Sequence, residues 1–83
     1  MELKRVTMNP WDFTLYSTTE GGHVLKVVFS EGAYKMDVER YFVVGPLDDD
    51  SLDALKLLSG KIRADYPETP YSEVSKADVT IAK

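Results

Sequence analysis

Residues 12 to 44 carry three runs rich in β-branched and aromatic residues, ending in "HVLKVVFS" and "AYKMDVERYFVV", with "TEGGH" and Glu31-Gly32 between them. Alternating runs parted by such turn signals read as an antiparallel meander. This feature constrains the chain most, because a hairpin register fixes which sheet face every side chain takes.

A two-residue loop at Glu31-Gly32 pairs Ser30 with Ala33, Phe29 with Tyr34, Val27 with Met36 and Leu25 with Val38. Val28/Lys35 and Lys26/Asp37 then fall on the other face, so apolar and polar residues separate. For the first turn, a three-residue loop of Glu20, Gly21 and Gly22 aligns Phe13, Leu15 and Ser17 with Phe29, Val27 and Leu25, with Gly22 as the left-handed residue. The expected apolar face is Phe13, Leu15, Leu25, Val27, Phe29, Tyr34, Met36, Val38 and Phe42.

Such a face needs a cover. After Pro46, the residues Leu52, Leu55, Leu58, Ile62 and Tyr66 recur within one arc at helical spacing, which marks an amphipathic helix starting near Asp49 or Asp50 and ending before Pro67. Leu57 falls off that arc and is expected to be exposed. The aspartates of "PLDDDSLDALKLL" sit where an N-cap and first turn belong, and they lack the glycine and closing glutamate of a calcium loop.

The termini are less determined. "ELKRVTM" fits a strand with either Val6 and Met8 or Leu3 and Arg5 inward. "ADVTIAK" alternates Ala77, Val79 and Ile81 against Asp78, Thr80 and Ala82 and suits a short strand, while the proline-bearing "YPETPYSEVSK" is expected to run extended over the surface. The fold class that follows is α+β: an antiparallel meander of three to five strands with one helix on its apolar face. At 83 residues the chain, 1-83, is expected to form a single domain.

Composition narrows the function classes. No cysteine excludes disulfides, thiolate metal sites and cysteine nucleophiles. A net charge of −4 argues against nucleic-acid and anionic-membrane partners, and on the sheet Lys26 and Lys35 are offset by Asp37 and Glu39. No apolar stretch reaches membrane-spanning length and no secretory leader opens the chain, so the expected setting is cytoplasmic.

Candidate chemistry is sparse. His23, the single histidine, is expected at a strand end close to Arg40 and Thr19, with no local orienting carboxylate or nucleophile. Arg40 breaks the apolar alternation of its strand; either its stem lies along the sheet rim with the guanidinium in water, the stronger reading, or it pairs with a carboxylate. Gly21-Gly22 joins strand to strand and receives no anion, and "PETP" marks an extended connection. No catalytic residue, cofactor site or metal site is expected.

The outer sheet face, with Thr14, Tyr16, Val24, Val28, Tyr41 and Val43, is more apolar than solvation requires. Either the terminal segments, Trp11 included, fold over it, or it is a contact surface. The sequence therefore points to a small acidic, non-enzymatic protein-interaction module. It would bind a protein partner or a second copy through that face or an unpaired edge strand, with Tyr16, Val24, Val28, Tyr41, Val43 and Leu57 as contact candidates. The alternative is a small-molecule binder or enzyme with a pocket between sheet and helix, drawing on His23, Arg40, Asp53 and Tyr66. Mimicry of nucleic-acid charge by Asp48, Asp49, Asp50 and Asp53 is a third, weaker reading.

Overall fold

The computed structural model describes residues 1–9, 12–31 and 36–81. Six strands and one α-helix follow one another as β1 (Glu2–Asn9), β2 (Phe13–Thr18), β3 (His23–Glu31), β4 (Met36–Val43), α1 (Leu52–Asp65), β5 (Ser72–Val74) and β6 (Thr80–Ile81), with a short 3-10 turn at Lys76–Asp78. All six strands form one sheet in the order β5-β4-β3-β2-β1-β6, antiparallel except where β6 joins β1. The α+β class expected from the meander is present, with one strand more than the upper end of the expected range.

The hairpins depart from the expected registers while keeping the expected faces. Phe13 pairs with Val27 and Leu15 with Leu25, so each partner lies two positions nearer the turn than expected. The reversal is a three-residue loop of Thr19, Glu20 and Gly21, closed by the Thr18 N–H donating to the Gly22 carbonyl at 3.0 Å. The left-handed residue is Gly21, at φ +84°, and not Gly22. In the second hairpin Phe29 pairs with Val38 and Leu25 with Phe42, and Glu31 pairs with Met36. With Glu31 itself paired in the ladder, the expected two-residue Glu31-Gly32 loop is not the turn; Gly32, Ala33, Tyr34 and Lys35 lie outside the described residues. Both shifts are even in residue number, and an even slip leaves each side chain on its own face.

Helix α1 covers the face bearing Phe13, Leu15, Leu25, Val27, Phe29 and Phe42, and it inserts Leu55 and Ile62, both fully buried. Ser59 is buried between them, its hydroxyl donating to the Lys56 carbonyl at 3.0 Å. A small side chain there brings the helix close to the sheet while its polar atom stays satisfied within its own turn. Of the expected arc, Leu58 and Tyr66 pack at the border of the core, but Leu52 in the first turn stays 47 % exposed. Met36, expected in the core, is 68 % exposed at the start of β4.

Ser51 caps the helix, one residue beyond the expected start. Its hydroxyl accepts from the Ala54 N–H at 3.3 Å, while the Asp49 carboxylate accepts from the Ser51 N–H at 3.0 Å. That backbone hydrogen bond holds the Asp49 carboxyl below its ordinary value. The capping role thus belongs to "DDDS", with serine at the cap itself.

The far edge strands come from one short segment. β5 pairs with β4, β6 pairs with β1, and only residues 75–79 join them. Six strands laid flat would put the outer two about 24 Å apart, whereas the six Cα steps from Val74 to Thr80 reach about 20 Å at most. The 3-10 turn at Lys76–Asp78 shortens that reach. The sheet is therefore rolled, with the 75–79 connection strapped across the face opposite the helix.

Candidate functional site

That strapped face is a second core. Leu3, Tyr16, Val24 and Tyr41 are at most 4 % exposed, and Val43, Val74 and Val79 pack against them. The Tyr16 and Tyr41 rings lie 6.3 Å apart at a tilt. The apolar surplus read on this face is thus covered by the terminal segments, β1 and residues 72–81; Trp11 lies outside the described residues. Tyr16, Val24 and Tyr41 are internal packing residues in this fold. Val28 and Val43 are half-buried, and Leu57, on the outward face of α1, is 78 % exposed.

Beside this core lies a charged cluster. Lys26 Nζ meets Glu39 Oε2 at 2.8 Å, and Lys76 Nζ lies 3.6 Å from Glu39 Oε1. Burial disfavours the Lys26 ammonium, but its hydrogen bond to Glu39, with further help from Tyr16 and Tyr41, outweighs this and raises its pKa. The same hydrogen bond holds Glu39 below the usual carboxylate range, and burial pushes the Tyr41 phenol up. Every charge here has a nearby opposite, and the arrangement ties β3 and β4 to the strap.

Arg40 lies on the helix-side face, opposite Val27. Its guanidinium sits 4.8 Å from the Tyr66 ring centroid and pairs with Glu73 at 3.2 Å, while the Tyr66 hydroxyl reaches Glu73 Oε1 at 3.4 Å. The rim reading is replaced by an ion pair with a cation–π contact, which fastens β5 and the helix end to β4. His23 stands apart from Arg40, because the register places it beside Val44. Its Nδ1 accepts from the Leu47 N–H at 3.1 Å, anchoring the loop into α1.

Of the four residues considered for a pocket, Arg40 and Tyr66 meet, whereas His23 holds the Leu47 N–H and Asp53 lies in the first turn of α1, at the other end of the helix from Tyr66. The sheet–helix interface carries the side chains of the first core. A hollow of about 350 Å³ lies elsewhere, at the first hairpin, lined by residues that include Glu2, Thr18, Glu20, His23, Val43 and Pro46. Among the described residues, no group of three His, Asp or Glu side chains is placed to hold a metal ion, and no helix is long and apolar enough to cross a membrane.

The remaining candidate is the open edge of β1. β6 pairs only with Glu2 and Leu3, so among the described residues no strand lies beside residues 4–9. The hydrogen-bonding sense of the sheet identifies which backbone groups face outward. Val28 N–H donates to Asp12 and Thr18 N–H to Gly22, so even-numbered residues of β2 turn toward β3 and odd-numbered ones toward β1. Lys4, Thr7 and Asn9, opposite Ser17, Leu15 and Phe13, consequently bond inward, leaving the N–H and C=O of Arg5 and Met8 pointing out.

Between Arg5 and Thr7 the pairing skips one residue, a bulge at Val6. The bulge switches parity along β1, so Leu3, Arg5 and Met8 share the face of Tyr16. Val6 and Met8 are 45 % and 43 % exposed, and Arg5 Nη1 lies 3.6 Å from Met8 Sδ.

Sequence reasoning named an unpaired edge strand but did not place it on β1, where the bulge hides the alternation. It also missed Arg63, whose Nε donates to the Val28 carbonyl at 2.9 Å and whose Nη2 donates to the Asp12 carbonyl at 2.7 Å while pairing with the Asp12 carboxylate. No protein-family model matches the chain, and no curated protein or solved structure matches it either.

Proposed function

We propose that this chain is a non-enzymatic protein-interaction module that receives an extended protein segment along the open edge of β1. The observation that carries this reading is the outward backbone of Arg5 and Met8 together with the exposed side chains of Val6 and Met8. Strand addition to such an edge draws affinity from main-chain hydrogen bonds and selectivity from alternate side chains. The burial of Tyr16, Val24 and Tyr41 favours the edge over the outer sheet face. The acidic balance, −4 overall, supports a protein partner over a nucleic acid or an anionic membrane, and the reading takes the cytoplasm as the setting.

Photo-crosslinking tests it. With a photoreactive amino acid at Val6, irradiation in the cells that make the protein is expected to give one dominant protein adduct. The same probe at Leu57, exposed on the helix, is expected to give background only. Equal labelling from both positions, or none from Val6, overturns the reading.

A further inference from the structure

We infer that His23 is a pH-sensitive latch: the neutral ring holds the loop between β4 and α1, and the protonated ring lets that loop go and turns toward the carboxylates lining the hollow beside it. The inference is independent of where a protein partner binds.

The loop is tied to His23 in two ways. The Val44 N–H donates to the His23 carbonyl at 3.0 Å, and the Leu47 N–H donates to His23 Nδ1 at 3.1 Å. The first tie is indifferent to pH. The second needs a lone pair on Nδ1, which places the proton of the neutral ring on Nε2. An imidazolium carries N–H on both nitrogens and accepts nothing, so protonation sets one N–H against another and the contact breaks. Among the described residues the Leu47 N–H has no second acceptor.

The residue held is a structural one. Leu47 is half-buried and packs against the first core, and it stands between Gly45, at φ +75°, and the Ser51 cap of α1. Among the described residues, the hydrogen bonds of Asp49 and Ser51 stay within this lead-in and the first turn of the helix. Beyond Val44, His23 therefore supplies the hydrogen-bonded tie between the lead-in and the sheet.

The surroundings give the charged ring a second position. His23 lines the hollow of about 350 Å³, and so do Glu2 of β1 and Glu20 of the first turn. Among the described residues neither carboxylate is engaged in an ion pair. The cation at the same hollow is the Met1 ammonium, which the Asp78 carbonyl holds at 2.8 Å. Ser17 and Val44, beside His23 on the flanking strands, carry no charge, and Asp48 follows Leu47 in the loop. A ring that leaves the Leu47 N–H on gaining a proton thus finds acceptors of opposite charge in the hollow.

Amide hydrogen exchange read by NMR tests the latch between about pH 8 and about pH 5, the interval in which histidine changes charge. With rates corrected for intrinsic exchange, protection of the Leu47 amide is expected to fall by about tenfold on acidification, the worth of one ordinary hydrogen bond. The fall should follow the His23 ring shifts, while the Leu25 and Val27 amides within β3 stay protected. His23→Gln keeps an acceptor that does not titrate and is expected to remove the pH dependence at Leu47. At the acid end, the His23 ring protons are expected to gain cross-peaks to the Glu2 or Glu20 methylenes. Level Leu47 protection across the interval, a loss shared equally by β3, an equal pH dependence in His23→Gln, or a charged ring without those cross-peaks overturns the inference. So does a neutral ring with its proton on Nδ1, read by long-range nitrogen–proton correlation.

Discussion

Replacing Arg63 by leucine tests how the helix is fastened to the sheet. Arg63 lies in the last turn of α1 and donates to two backbone carbonyls, that of Val28 within β3 at 2.9 Å and that of Asp12 just before β2 at 2.7 Å. Hydrogen bonds from a charged donor contribute about 1.5 to 3 kcal/mol each. The side chain is 33 % exposed, so the lower end applies. Two bonds then amount to about 3 kcal/mol, a large share of the total stability of a domain this small. Arg63→Leu is expected to lower the urea-derived unfolding free energy by about 2 to 3 kcal/mol and Tm by about 10 to 20 °C. Arg63→Lys keeps the charge but not the two-pronged geometry, and is expected to lose about half as much. Circular dichroism at 222 nm during urea titration reads both. A loss below about 0.5 kcal/mol for Arg63→Leu, the range of an ordinary surface substitution, refutes the clamp.

Backbone and charge give two further expectations. Gly60 lies in the exposed helix interior with no atom within 4 Å of an added Cβ, so Gly60→Ala is expected to stabilise by about 0.4 to 1 kcal/mol, whereas Gly21→Ala, at φ +84°, is expected to cost about 1 to 2 kcal/mol, both by thermal unfolding. Because Glu39 is held below the usual carboxylate range, its contribution is complete above that range and is lost as pH falls through its folded value. The side chain is 37 % exposed, so the effect is under about 1 kcal/mol. Glu39→Gln is expected to flatten the acid limb of stability against pH by that amount, and an unchanged limb contradicts the assignment.

The helix-side core was legible because it depends on parity alone. Both turns were misplaced, yet Phe13, Leu15, Leu25, Val27, Phe29 and Phe42 stayed on one face because each slip was even. Absolute register needs the turn itself. In "TEGGH" either glycine suits a left-handed residue, and the choice falls to Gly21 once Ser17 pairs with His23. Strand β1 resisted reading for another reason: the bulge at Val6 places Leu3 and Met8 on the same face although they differ in parity. No simple alternation describes that segment.

The second core was half legible. Tyr16, Val24, Tyr41 and Val43 announced a surface that needed cover, but the cover comes from a three-residue strand, a 3-10 turn and a two-residue strand, each too short to show a period. Arg63 was invisible for a different reason, since its hydrogen-bond partners are main-chain carbonyls that every residue possesses. The candidate edge is defined by the strand pairings of the described residues, a tertiary fact that residues 4–9 do not encode locally.

The case for an edge interface depends on the outer sheet face being occupied from within the chain. Nuclear Overhauser spectroscopy on methyl-labelled protein measures this directly. Cross-peaks linking the Val79 methyls to the Leu3, Tyr16, Val24 and Tyr41 side-chain cluster are the expected result. Their absence, together with solvent-accessible Tyr16 and Tyr41 rings, would return that face to the surface and remove the reason for placing the partner at β1.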